Sequence, residues 1–316
     1  MKKIFKIFCI FALLFCSAQA WGQATEGEDW QQDDGLDNNY WKEEWGHIDK
    51  EEAEPGGGNT NITVIPDTIT MMTYNVLHKN FQYDSNTYKY ANVISGVSPD
   101  VLALQELIDR EIFNNLKIFT GMDGEMFCTH YKNQGTGLKA NGIGILWNPI
   151  FGTPIITTKK FPLWGEQVGY IVAEFGNFCF ISTHYPVNMN GCDAAYRKKT
   201  TKKILNNKVV KRCKNSGKPV YIAGDFNEEP NNPNEAIQLF VNEGFEVLND
   251  PTKVWSTEEG KEVYELTTGP NRNQIDLIIE YNIYPLHKTI VQSKPDDFSG
   301  GNPSDHKPYY VKVKIR

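Results

Sequence analysis

The sequence predicts an α/β protein in which two packed sheets carry helices on their outer faces, and three observations predict it. Six apolar, strand-like runs recur between residues 69 and 308, each delivering polar side chains at one end. Helical segments alternate with the first of them, over 88–96 and 109–119, and a long basic helix follows over 194–215. A chain of 316 residues can bury a sizeable core, and this mixture of elements suits layers of sheet and helix around it.

The N-terminal segments are not part of that core. Residues 1–20 join Lys2, Lys3 and Lys6 to an apolar stretch from Ile7 to Phe15 and then Ala18-Gln19-Ala20, the pattern of a signal peptide cut after Ala20. The apolar stretch is too short to span a membrane stably, and acylation of Cys16 in a membrane-anchored lipoprotein is the alternative to a periplasmic or secreted product. Residues 21–65 read as an acidic, disordered leader or linker. Up to residue 60 they hold twelve Asp and Glu against Lys42 and Lys50, with little aliphatic content to offset the entropy of ordering. Trp21, Trp30, Trp41 and Trp45 give that leader a second reading, as a short motif that binds a partner. The formal charge of −7 lies in these segments, because residues 61–316 carry 27 acids and 27 bases. A neutral domain has no global basic field for capturing nucleic acid, which still leaves room for a local groove.

Within residues 66–316 the runs come in order. Met71-Met72-Thr73-Tyr74-Asn75 ends on Asn75, and Val101-Leu102-Ala103-Leu104-Gln105-Glu106 ends on Glu106. Phe180-Ile181-Ser182-Thr183 delivers His184, and Tyr221-Ile222-Ala223-Gly224 delivers Asp225 and Asn227. Asp276 opens Leu277-Ile278-Ile279, and Ser304-Asp305-His306 precedes the last strand. Alternation predicts that Asp225 and Asn227 point the same way while Phe226 turns into the core, a pair of oxygen donors suited to phosphate and a hard cation. In the long helix Leu205, Val209 and Cys213 recur every four residues as the buried stripe. Everything else on it, including Arg197, Lys198 and Lys199, is read as a solvated basic face.

This series of blocks resembles the endonuclease/exonuclease/phosphatase superfamily, the deoxyribonuclease-I-like metallophosphoesterases, from about Ile69 to Arg316. The resemblance implies a four-layer α/β/β/α sandwich of two mixed sheets with outer helices, the site lying at one end of the sheets. It also implies that His306 is the general base that deprotonates water, with Asp276 fixing its tautomer. Asp225 would position the nucleophile or protonate the leaving oxygen, and sequence leaves both roles open. His184 would donate to a non-bridging oxygen, while Asn75 and Asn227 hold phosphate oxygens and the water shell of the metal. Glu106, expected to be a buried carboxylate at a strand end, is the leading metal ligand, with Asp305 and Asn75 completing the site. Oxygen ligation selects Mg²⁺, with Mn²⁺ or Ca²⁺ as substitutes. Lys139, Asn141 and Arg272 are candidate substrate contacts.

The reaction implied is divalent-metal-dependent hydrolysis of a phosphodiester or phosphomonoester by in-line attack of water, on a phosphorylated small molecule, a phospholipid headgroup or a nucleic acid. Alternatives are a secreted nuclease, a sphingomyelinase-like enzyme and a silent binding protein on the same fold; a monomer is the expectation. Excluding Cys9 and Cys16, the chain keeps Cys128, Cys179, Cys192 and Cys213, for which three disulfide connectivities or free thiols are open. A single helix over 194–215 would exclude a Cys192–Cys213 bridge, since its length of roughly 30 Å far exceeds a disulfide's reach.

Overall fold

The computed structural model of this chain describes residues 66, 68–76, 87–107, 110–133, 138–163, 166–186, 194–230, 236–248, 275–282, 290–292, 303–304 and 306–314. For 128–133, 138–141, 160–163, 166–168, 290–292 and 314 it describes the backbone alone. Residues 1–65, and with them the signal peptide and the acidic leader, lie outside the described set.

In chain order the elements are β1 (Thr68–Asn75), α1 (Thr87–Val97), β2 (Val101–Leu107), α2 (Arg110–Thr120), β3 (Asp123–Asn133) and β4 (Leu138–Trp147), then β5 (Ile155–Leu163), β6 (Glu166–Glu174) and β7 (Cys179–His184). They continue with α3 (Ala194–Leu205), α4 (Lys208–Asn215), β8 (Val220–Asp225), α5 (Ala236–Asn242), β9 (Glu246–Val247), β10 (Asp276–Tyr281), β11 (Ile290–Gln292) and β12 (Tyr309–Lys314). One six-stranded sheet has the order β11-β12-β1-β2-β4-β3 and the other β5-β6-β7-β8-β10-β9. Both are mixed, with β1–β2 and β7–β8 parallel and the remaining ladders antiparallel.

Alternation sorts the side chains into three apolar layers. Met71, Ala103, Phe180, Ala223 and Ile278 meet between the sheets. Met72, Leu102 and Leu104 face α1 and α2 through Tyr90, Ile94, Phe113 and Leu116, and Ile181, Ile222 and Ile279 face α3 to α5 through Ile204, Val210 and Phe240. The result is the four-layer sandwich the sequence predicts. Gly224 shows how closely its parallel strands approach: a Cβ there would fall on the Thr183 carbonyl oxygen and within 2.9 Å of its carbon. Neither backbone can yield inside the β7–β8 ladder. Gly224→Ala is therefore expected to cost about 3 kcal/mol, seen as a fall of roughly 6–12 °C in thermal denaturation.

The long helix differs from its sequence reading. It is two helices, because Asn207 leaves helical geometry at φ −61° and ψ 133° and its side chain caps α4 by accepting from Val209 N and Val210 N. Arg197, Thr200, Thr201, Ile204 and Val210 are buried together with Val209 and Cys213, so the predicted stripe was too narrow and Arg197 does not belong to the solvated face. Cys213 is disulfide-bonded to Cys179, with Cα atoms 6.6 Å apart. That bond excludes a Cys192–Cys213 bridge by occupying the Cys213 sulfur, whereas the unbroken helix expected over 194–215 does not form. Cys192 lies outside the described residues and Cys128 is described by its backbone alone.

Candidate active site

The same alternation that builds the inter-sheet core delivers polar groups at its end. Two residues beyond Thr73, Ser182, Ala223 and, in the reverse direction, Ile278, the inner faces present Asn75, His184, Asp225 and Asp276. The ladders hold them level, pairing His184 with Asp225 and Asp225 with Asp276. Glu106 breaks the pattern. Alternation puts Gln105 on the inner face and would turn Glu106 toward the helices, but Glu106 sits at φ 58° and the β2–β4 register shifts between Leu104 and Leu107. That bulge re-aims its carboxylate into the site. Glu106 is half-buried, not fully buried as the sequence suggested.

The convergence point is Asp225 Oδ2. Asn75 Nδ2 donates to it at 3.0 Å and to Glu106 Oε1 at 3.1 Å. His184 Nε2 lies 3.7 Å and His306 Nε2 3.8 Å from the same oxygen. Asp276 Oδ2 is 2.7 Å from His306 Nδ1, so a carboxylate there accepts the Nδ1–H and leaves the Nε2 lone pair turned toward Asp225. Burial, and next the Asp276 charge, push the Asp225 carboxyl up to about 6, against the opposing pull of His184, His306 and the Asn227 N–H. The loop bearing His306 is pinned to β1, since Ser304 Oγ donates to Asn75 O at 2.7 Å and accepts from His306 N at 3.1 Å.

Asn227 joins the site differently from the predicted alternation. β8 ends at Asp225, and Asn227 lies past it at φ 48°, where its N–H donates to Asp225 Oδ1 at 2.8 Å. Its carboxamide donates to Tyr185 O at 2.8 Å and lies 3.4 Å from His184 Nε2. Phe226 does turn into the core, fully buried against Tyr185 and Phe240.

Seven of the expected residues are thus brought to one rim: Asn75, Glu106, His184, Asp225, Asn227, Asp276 and His306. Asp305 and Arg272 lie outside the described residues, and Lys139 and Asn141 are placed only as backbone, paired in register with Lys132 and His130 on β3. Sequence reasoning assigned nothing to Ser304 or Glu228 and put Arg197 on the surface. Glu228 had one signal, its place directly after Asn227.

Ligand atoms of Glu106, His184 and Asp225 lie within 4.8 Å of one another, as do those of Asp225, Asp276 and His306. Two carboxylates converging on one amide NH₂, with a third behind them, leave negative charge that a divalent cation would neutralise. The donor set fits such an ion.

A mixed two-sheet sandwich with polar strand ends gathered at one rim is the architecture of the deoxyribonuclease-I-like folds. The chain belongs to the Endonuclease/Exonuclease/phosphatase family, whose profile it matches over residues 72–306. Solved structures with a similar fold include the human Nocturnin catalytic domain with bound sulfate, 18% identical, covering 79% of this chain and 95% of that one at a TM-score of 0.55. An endonuclease/exonuclease/phosphatase from Bacteroides vulgatus is 14% identical over 79% of this chain and 99% of that one, TM-score 0.58. A mannosyl-6-phosphatase from Bacteroides thetaiotaomicron VPI-5482 is 14% identical over 78% and 99%, TM-score 0.56. No curated protein matches the sequence.

Proposed function

We propose that the protein is an exported phosphoesterase that hydrolyses a phosphodiester or phosphomonoester by in-line attack of a water molecule, with Mg²⁺ as its cofactor. The observation that carries this reading is the gathering of Asn75, His184 and His306 around one oxygen of Asp225, from segments up to 231 residues apart, with Glu106 reaching the same Asn75 amide. Family members are typically phosphoester hydrolases that work with divalent cations, and the solved relatives include a mannosyl-6-phosphatase. Export rests on the pattern of residues 1–20.

Glu106 and Asp225 would hold the cation, with Asn75 and Asp305 beside them. When bound, that ion supplies neutralisation of the charge that grows on the phosphoryl oxygens. His306 Nε2 takes the proton from water, and Asp276 holds the ring in the tautomer that can do so. His184 and the Asn227 carboxamide would offer hydrogen bonds to a phosphoryl oxygen over the same rim. With the cation held beside it, the Asp225 carboxylate would be ionised, which supports the role of positioning the attacking water over that of donor to the leaving oxygen.

The test is release of p-nitrophenol from bis-p-nitrophenyl phosphate and from p-nitrophenyl phosphate. Turnover is expected in Mg²⁺ and loss of at least 10²-fold in EDTA, restored by added Mg²⁺ or Mn²⁺. Equal rates with and without chelator would remove the metal from the reading, and no turnover on either ester, nor on DNA, RNA, sphingomyelin or inositol phosphates, would leave the binding-protein alternative. Preference for the diester or the monoester decides between a phosphodiesterase and a phosphomonoesterase.

A further inference from the structure

The geometry points to Arg197 and Glu228 as positioning residues that hold Asn227 in the rim, with α3 bracing both loops that carry the His184–Asn227 pair. Arg197 Nε donates to Glu228 Oε2 at 3.1 Å, and both side chains are almost completely withdrawn from water, 2% and 1% exposed. The second carboxylate oxygen of Glu228 accepts from Ile237 N at 2.9 Å, so both its oxygens are fixed, one by α3 and one by α5. One helical turn beyond Arg197, on the same face of α3, Thr201 Oγ1 is 2.7 Å from the Tyr185 hydroxyl. Tyr185 follows His184 directly, and Glu228 follows Asn227 directly. The Asn227 carboxamide donates to Tyr185 O and closes a ring of contacts: Arg197, Glu228, Asn227, Tyr185, Thr201 and back along α3.

Two features of this ring exceed what packing requires. Asn227 occupies left-handed backbone, φ 48°, which asparagine adopts more readily than other non-glycine residues but which still favours a site whose neighbours hold it. And a buried ion pair is a poor way to fill space, because withdrawing two charges from water offsets most of their attraction, and an apolar pair of similar volume packs as well or better. A guanidinium on a carboxylate instead fixes distance and direction. Here it fixes the residue adjoining Asn227, whose carboxamide stands 3.4 Å from His184 Nε2. Withdrawn from water, the pair acts through Asn227.

The inference rests on the phosphoesterase reading for what Asn227 does, and on geometry alone for where Asn227 sits, so the experiment reads the two separately. Full-length protein is labelled with ¹⁵N-asparagine, and the Asn227 side-chain amide signals are identified by their disappearance in Asn227→Ser. Arg197→Met, Glu228→Gln and the double variant Arg197→Met/Glu228→Leu are then compared with wild type by amide spectrum, melting temperature, and kcat and KM on bis-p-nitrophenyl phosphate in Mg²⁺. The double variant removes both buried charges and is expected to melt above Arg197→Met or Glu228→Gln. Its Asn227 amide signals are nevertheless expected to shift or broaden, and its kcat to stay roughly 10- to 100-fold below wild type with KM within about threefold. Arg197→Lys, which keeps the charge and can reach Glu228, is expected to recover part of kcat.

A purely structural pair predicts otherwise: amide signals unmoved in every folded variant, and kcat regained as melting temperature is regained. Either result overturns the inference. If the double variant does not fold, Glu228→Gln, whose amide oxygen still accepts from Ile237 N, carries the same two readouts. If wild type turns over no ester, the proposed function fails, and the Asn227 amide signals alone decide whether the pair holds it.

Discussion

His306→Ala is expected to lower kcat on bis-p-nitrophenyl phosphate by on the order of 10²–10⁴, the range a positioned general base supplies. The ring is buried, its Nδ1 is 2.7 Å from Asp276 Oδ2, and its Nε2 faces Asp225, so the proton acceptor and the group that orients it are separable by mutation. Asp276→Asn keeps shape and burial, yet the new carboxamide can turn an N–H toward Nδ1. The ring then carries its proton on Nε2 and cannot accept another there. A loss of the same order is expected, although the imidazole is untouched. Because the two residues act as one unit, the double variant is expected to fall no further than the worse single variant. Removing the imidazole also takes a hydrogen-bond partner from Asp276, which has no solvent exposure, and costs about 1–3 kcal/mol of stability. Rates are therefore compared well below the melting point of each variant. Retention of more than a tenth of wild-type kcat in His306→Ala would falsify the assignment of the base.

The sandwich was legible because its strands are buried on both faces and read as uninterrupted apolar runs: Val220 to Gly224 and Leu277 to Ile279 could only be interior. The site was legible for the same reason, since a carboxylate or imidazole ending such a run sits at the edge of the core, where its charge is costly unless a cation or a partner meets it. What alternation alone could not supply was local backbone geometry. Glu106 and Asn227 reach the rim through left-handed residues, one at a bulge and one past a strand end, and no side-chain period encodes either. Arg197 was misread because nine bases crowd the sequence from 197 to 214, and a charge count gives no sign that one of them faces inward. Its partner Glu228 is 31 residues away, beyond the range of any helical pattern. The break at Asn207 was hidden by the continuity of charge across it, though an Asn shortly before the apolar pair Val209-Val210 is itself a helix-start signal.

Asp225→Asn is expected to abolish turnover while making the metal-free protein more stable near neutral pH. Burial and the adjacent Asp276 charge raise the folded-state value of this carboxyl from its ordinary 3.8 to about 6. In the unfolded chain the group is ionised above about pH 4, whereas in the folded chain it keeps its proton to about 6. The folded state therefore binds the extra proton between these limits, and stability from this group is full below pH 4 and lost as pH rises through 6. Two pH units of difference correspond to about 3 kcal/mol, or roughly 6–12 °C for a domain of this size. A carboxamide is neutral throughout and carries no such slope. In EDTA, the difference between the melting temperatures of the variant and wild type is expected to widen from pH 4 to pH 7 and then level off. Using the difference cancels the slopes of acids remote from Asp225, whereas Asp276, His184 and His306, which interact with its charge, contribute to the curve as well. Mg²⁺ should reverse the order, because a ligand that binds only the folded state stabilises wild type in proportion to ln(1 + [Mg²⁺]/Kd), while the variant has lost a ligand oxygen's charge. A difference curve that is flat or narrows toward pH 7 would show that the cluster is not strained in the absence of the ion. Together, a protein weakened by its own site without metal and inactive once that weakness is removed would mark Asp225 as a residue kept for chemistry at the expense of the fold.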